Sequence, residues 1–282
     1  MNITDEYTKG KNSSGGVASY GILAGSAVSA GEGATYNGKY STVTVDKLTI
    51  NQTTKGGKVN PVLNTGIRAI QGAYNNSGDG SAGKVVVNDE LDITLTGNRS
   101  VGIYVSGNHT NHGAAEDVGA NGQLTPIVVL NGKNNKITLN KGSDSSLTQW
   151  DSTAIKLGKT RDTGEGAGIL ESHGGLTIDT TNALNGGGIK MVRNSLLKAD
   201  YEDSATTITT NGYALEIGTH DDATSSGKYE QAASHGVRAS FKDAVFSTTG
   251  TSADPTIMGS VGRKDLIFVD QGQVYDFIFF RR

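Results

Sequence analysis

The chain has 282 residues, of which 25 are basic and 28 acidic for a formal charge of -3, with 40 glycines, 3 prolines and no cysteine. Without cysteine it can build neither a disulfide framework nor a thiolate metal site or nucleophile. Charges scattered without long blocks give no electrostatic footprint for nucleic acid or an anionic membrane.

Hydrophobic residues at 35% beside only 19% charged residues argue against plain disorder, and the few prolines exclude collagen and proline-rich linkers. Residues 1–16, MNITDEYTKGKNSSGG, read as a polar N-terminal lead-in or cap. They show no basic region followed by an apolar one, and no apolar run anywhere approaches the roughly 18 residues of a membrane span. A soluble segment with no direct membrane insertion is the expectation.

From residue 17 to 261 two phrases recur. The first is a small residue, an aliphatic, a variable residue and another aliphatic or small residue. Its copies are YGILAG (20–25), TGIRAI (65–70), VGIYVSG (101–107), TAIKLG (153–158), AGILES (167–172), GGIKMV (187–192), YALEIG (213–218) and HGVRAS (235–240). The first aliphatic and the residue two later point to one face, as a half-buried strand requires. The second phrase alternates Val, Ile and Leu with Thr, Asp and Lys: STVTVDKLTINQ (41–52), KVVVNDELDITLTG (84–97), PIVVLNGKNNKITLNKG (126–142), GGLTIDTT (174–181) and ATTITTNG (205–212). In it Val45, Val87 and Val129 fall at equal intervals. The Gly before the aliphatic in TGIRAI, VGIYVSG and GGIKMV is predicted to take the positive φ of a corner, and Asn-Gly at 121, 131 and 211 marks further turns.

Short alternating strands, no long helical pattern and unequal Gly/Asn/Ser inserts predict an all-β parallel β-helix of roughly 9 to 12 coils, a solenoid with loop inserts, at about 4.8 Å per coil. An antiparallel sandwich or barrel is the alternative, although hairpins predict tighter and more regular turns. Residues 262–282, with Phe268, Phe277, Phe279 and Phe280, are read as aromatic-rich C-terminal strands or a cap of the same domain, with Arg281 and Arg282 charging its edge.

The phrases TAIKLG, GYALEIG, VGIYVSG and GGLTIDTT, set between Gly/Asn/Ser-rich loops in a chain without Cys, resemble the passenger domains of Gram-negative autotransporters (type V secretion) of the pertactin and adhesin type. The resemblance runs from about Tyr20 to Ala239. It implies a single-stranded right-handed parallel β-helix exported to the bacterial cell surface, attached to the outer membrane or secreted. The family's signal peptide and C-terminal membrane barrel have no counterpart in these residues, so the chain reads as part of a passenger.

Solenoid passengers carry many activities, so function is argued from sites. A nucleotide site finds no support, since GxxxxGK[ST] is absent and GEGAG at 164–168 lacks a following helical pattern. For a polysaccharide lyase or glycosidase the candidate acids are Asp221 and Asp222 beside His220, and Asp200, Glu202 and Asp203. Neighbouring residues of a strand point to opposite faces, so Asp221 and Asp222 do not form a convergent pair by themselves. Ser143, Ser145 and Ser146 lack the GDSGS order of passenger proteases, and SGDGSAG at 77–83 is a lone acidic turn rather than a calcium repeat. His109 and His112, three apart in GIYVSGNHTNHG, could complete a zinc site with Glu116 or Asp117; a solvated loop is the preferred reading, and no metal or cofactor is expected.

Adhesion is therefore the leading expectation, through loops displayed on a rod. The inserts at about 25–40, 71–83, 106–123, 141–151 and 219–234 carry Tyr36, Tyr40, Tyr74, Trp150 and Tyr229, which with His109 and His112 are the candidate binding residues. The partners expected are a host protein, receptor or glycan, or another passenger. A carbohydrate-active enzyme, and a released passenger acting on a host-cell receptor, are the alternatives.

Overall fold

The computed structural model describes residues 2–5, 18–25, 27–28, 39–54, 63–73, 81–107, 124–143, 152–158, 166–192, 194–217, 237–249, 267–269 and 278–279. These residues form strands and turns, with no helix among them. In chain order the strands are β1 (Asn2–Asp5), β2 (Ala18–Ala24), β3 (Ala27–Val28), β4 (Tyr40–Thr54), β5 (Leu63–Ile70), β6 (Gly72–Ala73) and β7 (Ala82–Thr96). There follow β8 (Ser100–Ser106), β9 (Ile127–Leu130), β10 (Asn134–Asn140), β11 (Ser152–Leu157), β12 (Ile169–Ser172), β13 (Gly175–Asn182) and β14 (Gly186–Met191). The last are β15 (Leu196–Ala199), β16 (Ala205–Thr210), β17 (Leu215–Ile217), β18 (Arg238–Phe241), β19 (Asp243–Thr248), β20 (Ile267–Val269) and β21 (Ile278–Phe279).

Every described ladder is parallel, which removes the antiparallel alternative. A 7-stranded sheet runs β2-β5-β8-β11-β14-β17-β20, and a 12-stranded sheet runs from β19 through β7 to β21, with β4 joining β1 to β7. A 2-stranded sheet pairs β3 with β6. Strand β7 explains how the large sheet divides. Its Lys84–Val87 pairs with β9, and its Glu90–Thr96 pairs with β10. Between the two lies a bulge, where Val45 and Lys47 of β4 pair with Val87 and Glu90, so one residue of β4 faces two of β7. In later steps a bend replaces the bulge, at Gly132–Lys133 and again at His173–Gly174.

Alternation puts one aliphatic column per ladder into a shared core. Ile22, Ile67, Ile103, Ile155, Ile189, Leu215 and Ile267 stand in register along the small sheet. Ile50, Ile93, Ile137, Ile178, Ile208 and Phe246 do so on the large one. The inner members of both columns are buried, and each such side chain contributes about 1.5–3 kcal/mol of transfer free energy. Ile103 and Val105 are inward as the alternation predicts.

Three expectations are corrected by the register. Gly66, Gly102 and Gly188 do not have positive φ; the described glycines that do are Gly25 (99°) and Gly158 (88°), directly after β2 and β11. Gly66, Gly102 and Gly188 lie within strands, and a close approach requires them. A Cβ on Gly102 would stand 2.6 Å from the Ala154 carbonyl oxygen and 2.6 Å from Ile137 Cγ2, and one on Gly188 would stand 2.4 Å from the Ala214 oxygen and 2.7 Å from Ile208 Cγ2. Secondly, Val87 pairs with Leu130, not Val129, so the second interval is one residue longer. The shift turns Val129 outward and leaves Leu130 buried, as a period of two demands. Thirdly, AGILES and HGVRAS join the large sheet as β12 and β18, while the small sheet holds 7 strands among the described residues.

Near the termini, β1 pairs with β4 through Asn2↔Asn51 to Asp5↔Thr54, while β20 pairs with β17 and β21 with β18.

Candidate functional site

The outward residue between each pair of core positions on the small sheet is the variable residue of the first phrase. In register these are Leu23, Arg68, Tyr104, Lys156, Lys190 and Glu216. Core columns on either side hold them in line, because Ile67 and Ala69, Ile103 and Val105, Ile155 and Leu157 all point inward.

Within this column Tyr104 sits between two cations. The Arg68 guanidinium carbon is 3.5 Å from the ring centroid and Lys156 Nζ is 5.1 Å from it, each within reach of the ring quadrupole. Arg68 is fixed further by donating from Nη1 to the Tyr104 carbonyl oxygen at 3.3 Å and from Nη2 to Ser106 Oγ at 3.0 Å. Burial pushes this guanidinium below its ordinary value, opposed by Tyr104 and Tyr20; an arginine still keeps its charge. Arg99 is displaced in the same direction by burial, with Tyr104 opposing. Next along the column, Lys190 Nζ meets Glu216 Oε1 at 2.9 Å, with side chains only 12% and 9% exposed. Lys190 thus has its counter-charge on the adjacent strand. Among the described residues no carboxylate ion-pairs with Arg68 or Lys156.

A second cluster lies at the bend of the large sheet. The His173 ring stacks on Tyr201 with centroids 3.9 Å apart and 29° between planes, and His173 Nε2 lies 3.3 Å from Glu171 Oε2. Lys198 Nζ, on the strand next to Glu171, is 5.7 Å from the Tyr201 ring. Burial, then Glu171, raise the Tyr201 hydroxyl above its ordinary value while Lys198 opposes them.

Of the predicted binding residues Tyr40 falls in this neighbourhood. Its hydroxyl donates to the Thr125 carbonyl oxygen at 3.0 Å, Lys84 Nζ lies 5.6 Å from its ring, and burial followed by Glu171 raises its pKa. Tyr36, Tyr74, His109, His112, Trp150 and Tyr229 lie outside the described residues, as do His220, Asp221, Asp222, Glu116, Asp117, Ser145 and Ser146. Asp200, Glu202 and Asp203 are exposed in the turn between β15 and β16, where Lys242 Nζ donates to the Glu202 carbonyl oxygen. Ser143 is exposed as well. Among the described residues no group of three or more His, Asp or Glu side chains is placed to hold a metal.

The chain matches no protein-family model, no curated protein and no solved structure.

The outward column escaped a reading of the sequence aimed at loops. Its signal is nevertheless present: where the phrase keeps small and aliphatic residues, its fourth letter changes from Arg to Tyr, Lys, Lys and Glu at 68, 104, 156, 190 and 216. Positions that a repeat leaves free of core packing are those able to carry a site.

Proposed function

We propose that the ladders wind as a right-handed parallel β-helix and that the chain is the passenger of a Gram-negative autotransporter. In this reading it is displayed on the bacterial cell surface or secreted, and it acts as an adhesin or host-interaction module. The observation that carries the binding role is the outward column Arg68–Tyr104–Lys156, an aromatic ring held between two cations for which the described residues supply no carboxylate. The parallel connectivity supports the winding, because every third strand from β2 to β20 falls in the small sheet, the strands between them lie outside it, and each small-sheet strand joins its ladder in chain order. A repeated core of this kind holds an outward column rigid before any partner arrives, which lowers the ordering cost of association. The site pattern favours recognition over turnover: the described acids Asp200, Glu202 and Asp203 share one exposed turn rather than facing each other across a cleft.

The test is saturable binding of the purified, labelled chain to cultured host cells and to their extracellular matrix. Binding that is weakened by Tyr104→Ala at unchanged thermal stability is expected. Absence of saturable binding to either surface, or release of reducing ends from polysaccharide by the purified chain, would contradict the adhesin reading.

A further inference from the structure

We propose that the column formed by Arg68, Tyr104 and Lys156 binds a linear acidic glycan with one anionic group per disaccharide. This rests on the reading of the column as a binding surface and adds the class of ligand. Arg68 and Lys156 occupy β5 and β11, with β8 between them. Two ladder steps separate their strands by about 9.5 Å, and because both side chains lean toward one ring centroid the charges stand no more than about 8.6 Å apart, within reach of anions one disaccharide apart in an extended chain. Successive anions of such a glycan then meet the two cations in turn, with the sugar ring between them lying across the edge of Tyr104.

Charge explains why an anion belongs there. Two cations share one aromatic ring at 3.5 and 5.1 Å, where the ring quadrupole eases their mutual repulsion and no carboxylate among the described residues ion-pairs with either. The following cation of the same column does not need a ligand, since Glu216 neutralises Lys190 at 2.9 Å. Arg68 commits two N–H groups to Tyr104 and Ser106, and a guanidinium has five. Its remaining donors can take a carboxylate or sulfate in a charge-assisted bond. A duplex or single-stranded nucleic acid fits poorly, because the chain carries a formal charge of -3 and no long basic block beyond this column.

The probe is hyaluronan hexasaccharide, compared with its carboxyl methyl ester, titrated calorimetrically against the full chain. The acid is expected to bind and the ester to bind at least about tenfold more weakly, since both charge-assisted contacts are lost. Lys156→Gln is expected to cost a similar factor and Lys156→Arg to restore binding, while Lys47→Gln, at an exposed cation paired with Glu90 at 3.7 Å, leaves affinity unchanged. Lys156 is not part of the core, and matching melting temperatures for these variants keep folding out of the comparison. Equal binding of acid and ester, or unchanged affinity in Lys156→Gln, would overturn the proposal. So would host-cell binding that persists with no hexasaccharide affinity, an outcome that spares the adhesin reading; loss of host-cell binding with glycan affinity intact would sink the adhesin reading alone.

Discussion

Gly102 and Tyr104 stand two residues apart on β8 and would share a face in a regular strand, but the ladders pair Val101 and Ile103 and skip Gly102, so the two serve opposite sides of the sheet. Tyr104 faces outward between its two cations. Gly102 faces the Ile137 column, where an added methyl group would lie 2.6 Å from a backbone oxygen that has no rotamer to yield. Gly102→Ala is expected to lower the free energy of unfolding by about 1–3 kcal/mol through overpacking, read from urea denaturation. Gly107→Ala is the comparison, because its Cβ would meet nothing nearer than 3.3 Å and should cost clearly less. An equal midpoint for wild type and Gly102→Ala would show that the strand has room there. Ile103 and Val105 were legible as inward residues because alternation is a property of one strand. The reason for Gly102 was not, since positive φ and close approach select the same residue and only the neighbouring strand distinguishes them.

At the level of elements, one ladder ends on an apolar strand. β19 pairs with β16 and, among the described residues, with no other strand, and its Val245 is 63% exposed. Phe246 beside it is partly buried against the core and edge-on to Phe241, with centroids 5.4 Å apart. Such an edge is a template for further pairing. Val245→Lys is expected to reduce concentration-dependent self-association in sedimentation velocity, with stability changed by no more than about 0.5 kcal/mol; unaltered association would move the contact elsewhere. The existence of most strands could be read from their alternation. Their sheet could not: AGILES and HGVRAS share letters with the small-sheet copies, yet β12 and β18 find their partners in β9, β15 and β21. Small-aliphatic spacing states that a residue is buried, and the partner strand decides where. The Val129 offset has the same origin, because one residue moved into or out of a turn reverses every side chain after it.

Over the whole molecule, a net charge of -3 conceals a local excess of positive charge. Arg68 and Lys156 are far apart in sequence, and register alone brings them to one aromatic ring. That is why composition spoke against an anionic partner while the assembled column favours one. The insert residues Tyr36, Tyr74, Trp150 and Tyr229 remain outside the described residues, so the column of regular strands, not the inserts, carries the functional argument. Everything in it depends on strands stacking step by step along one axis. The chain has no cysteine, so paired nitroxide labels can be placed on introduced cysteines without background. Thr49, Thr177, Thr207 and Val245 share one exposed column of the large sheet through Asp92 and Lys136. Dipolar EPR distances from a label at Thr49 are expected to increase by about 4.8 Å per ladder step, spanning about 14, 19 and 24 Å to labels at Thr177, Thr207 and Val245. Distances that fail to rise in that order would contradict the stacked account, and the binding column with it.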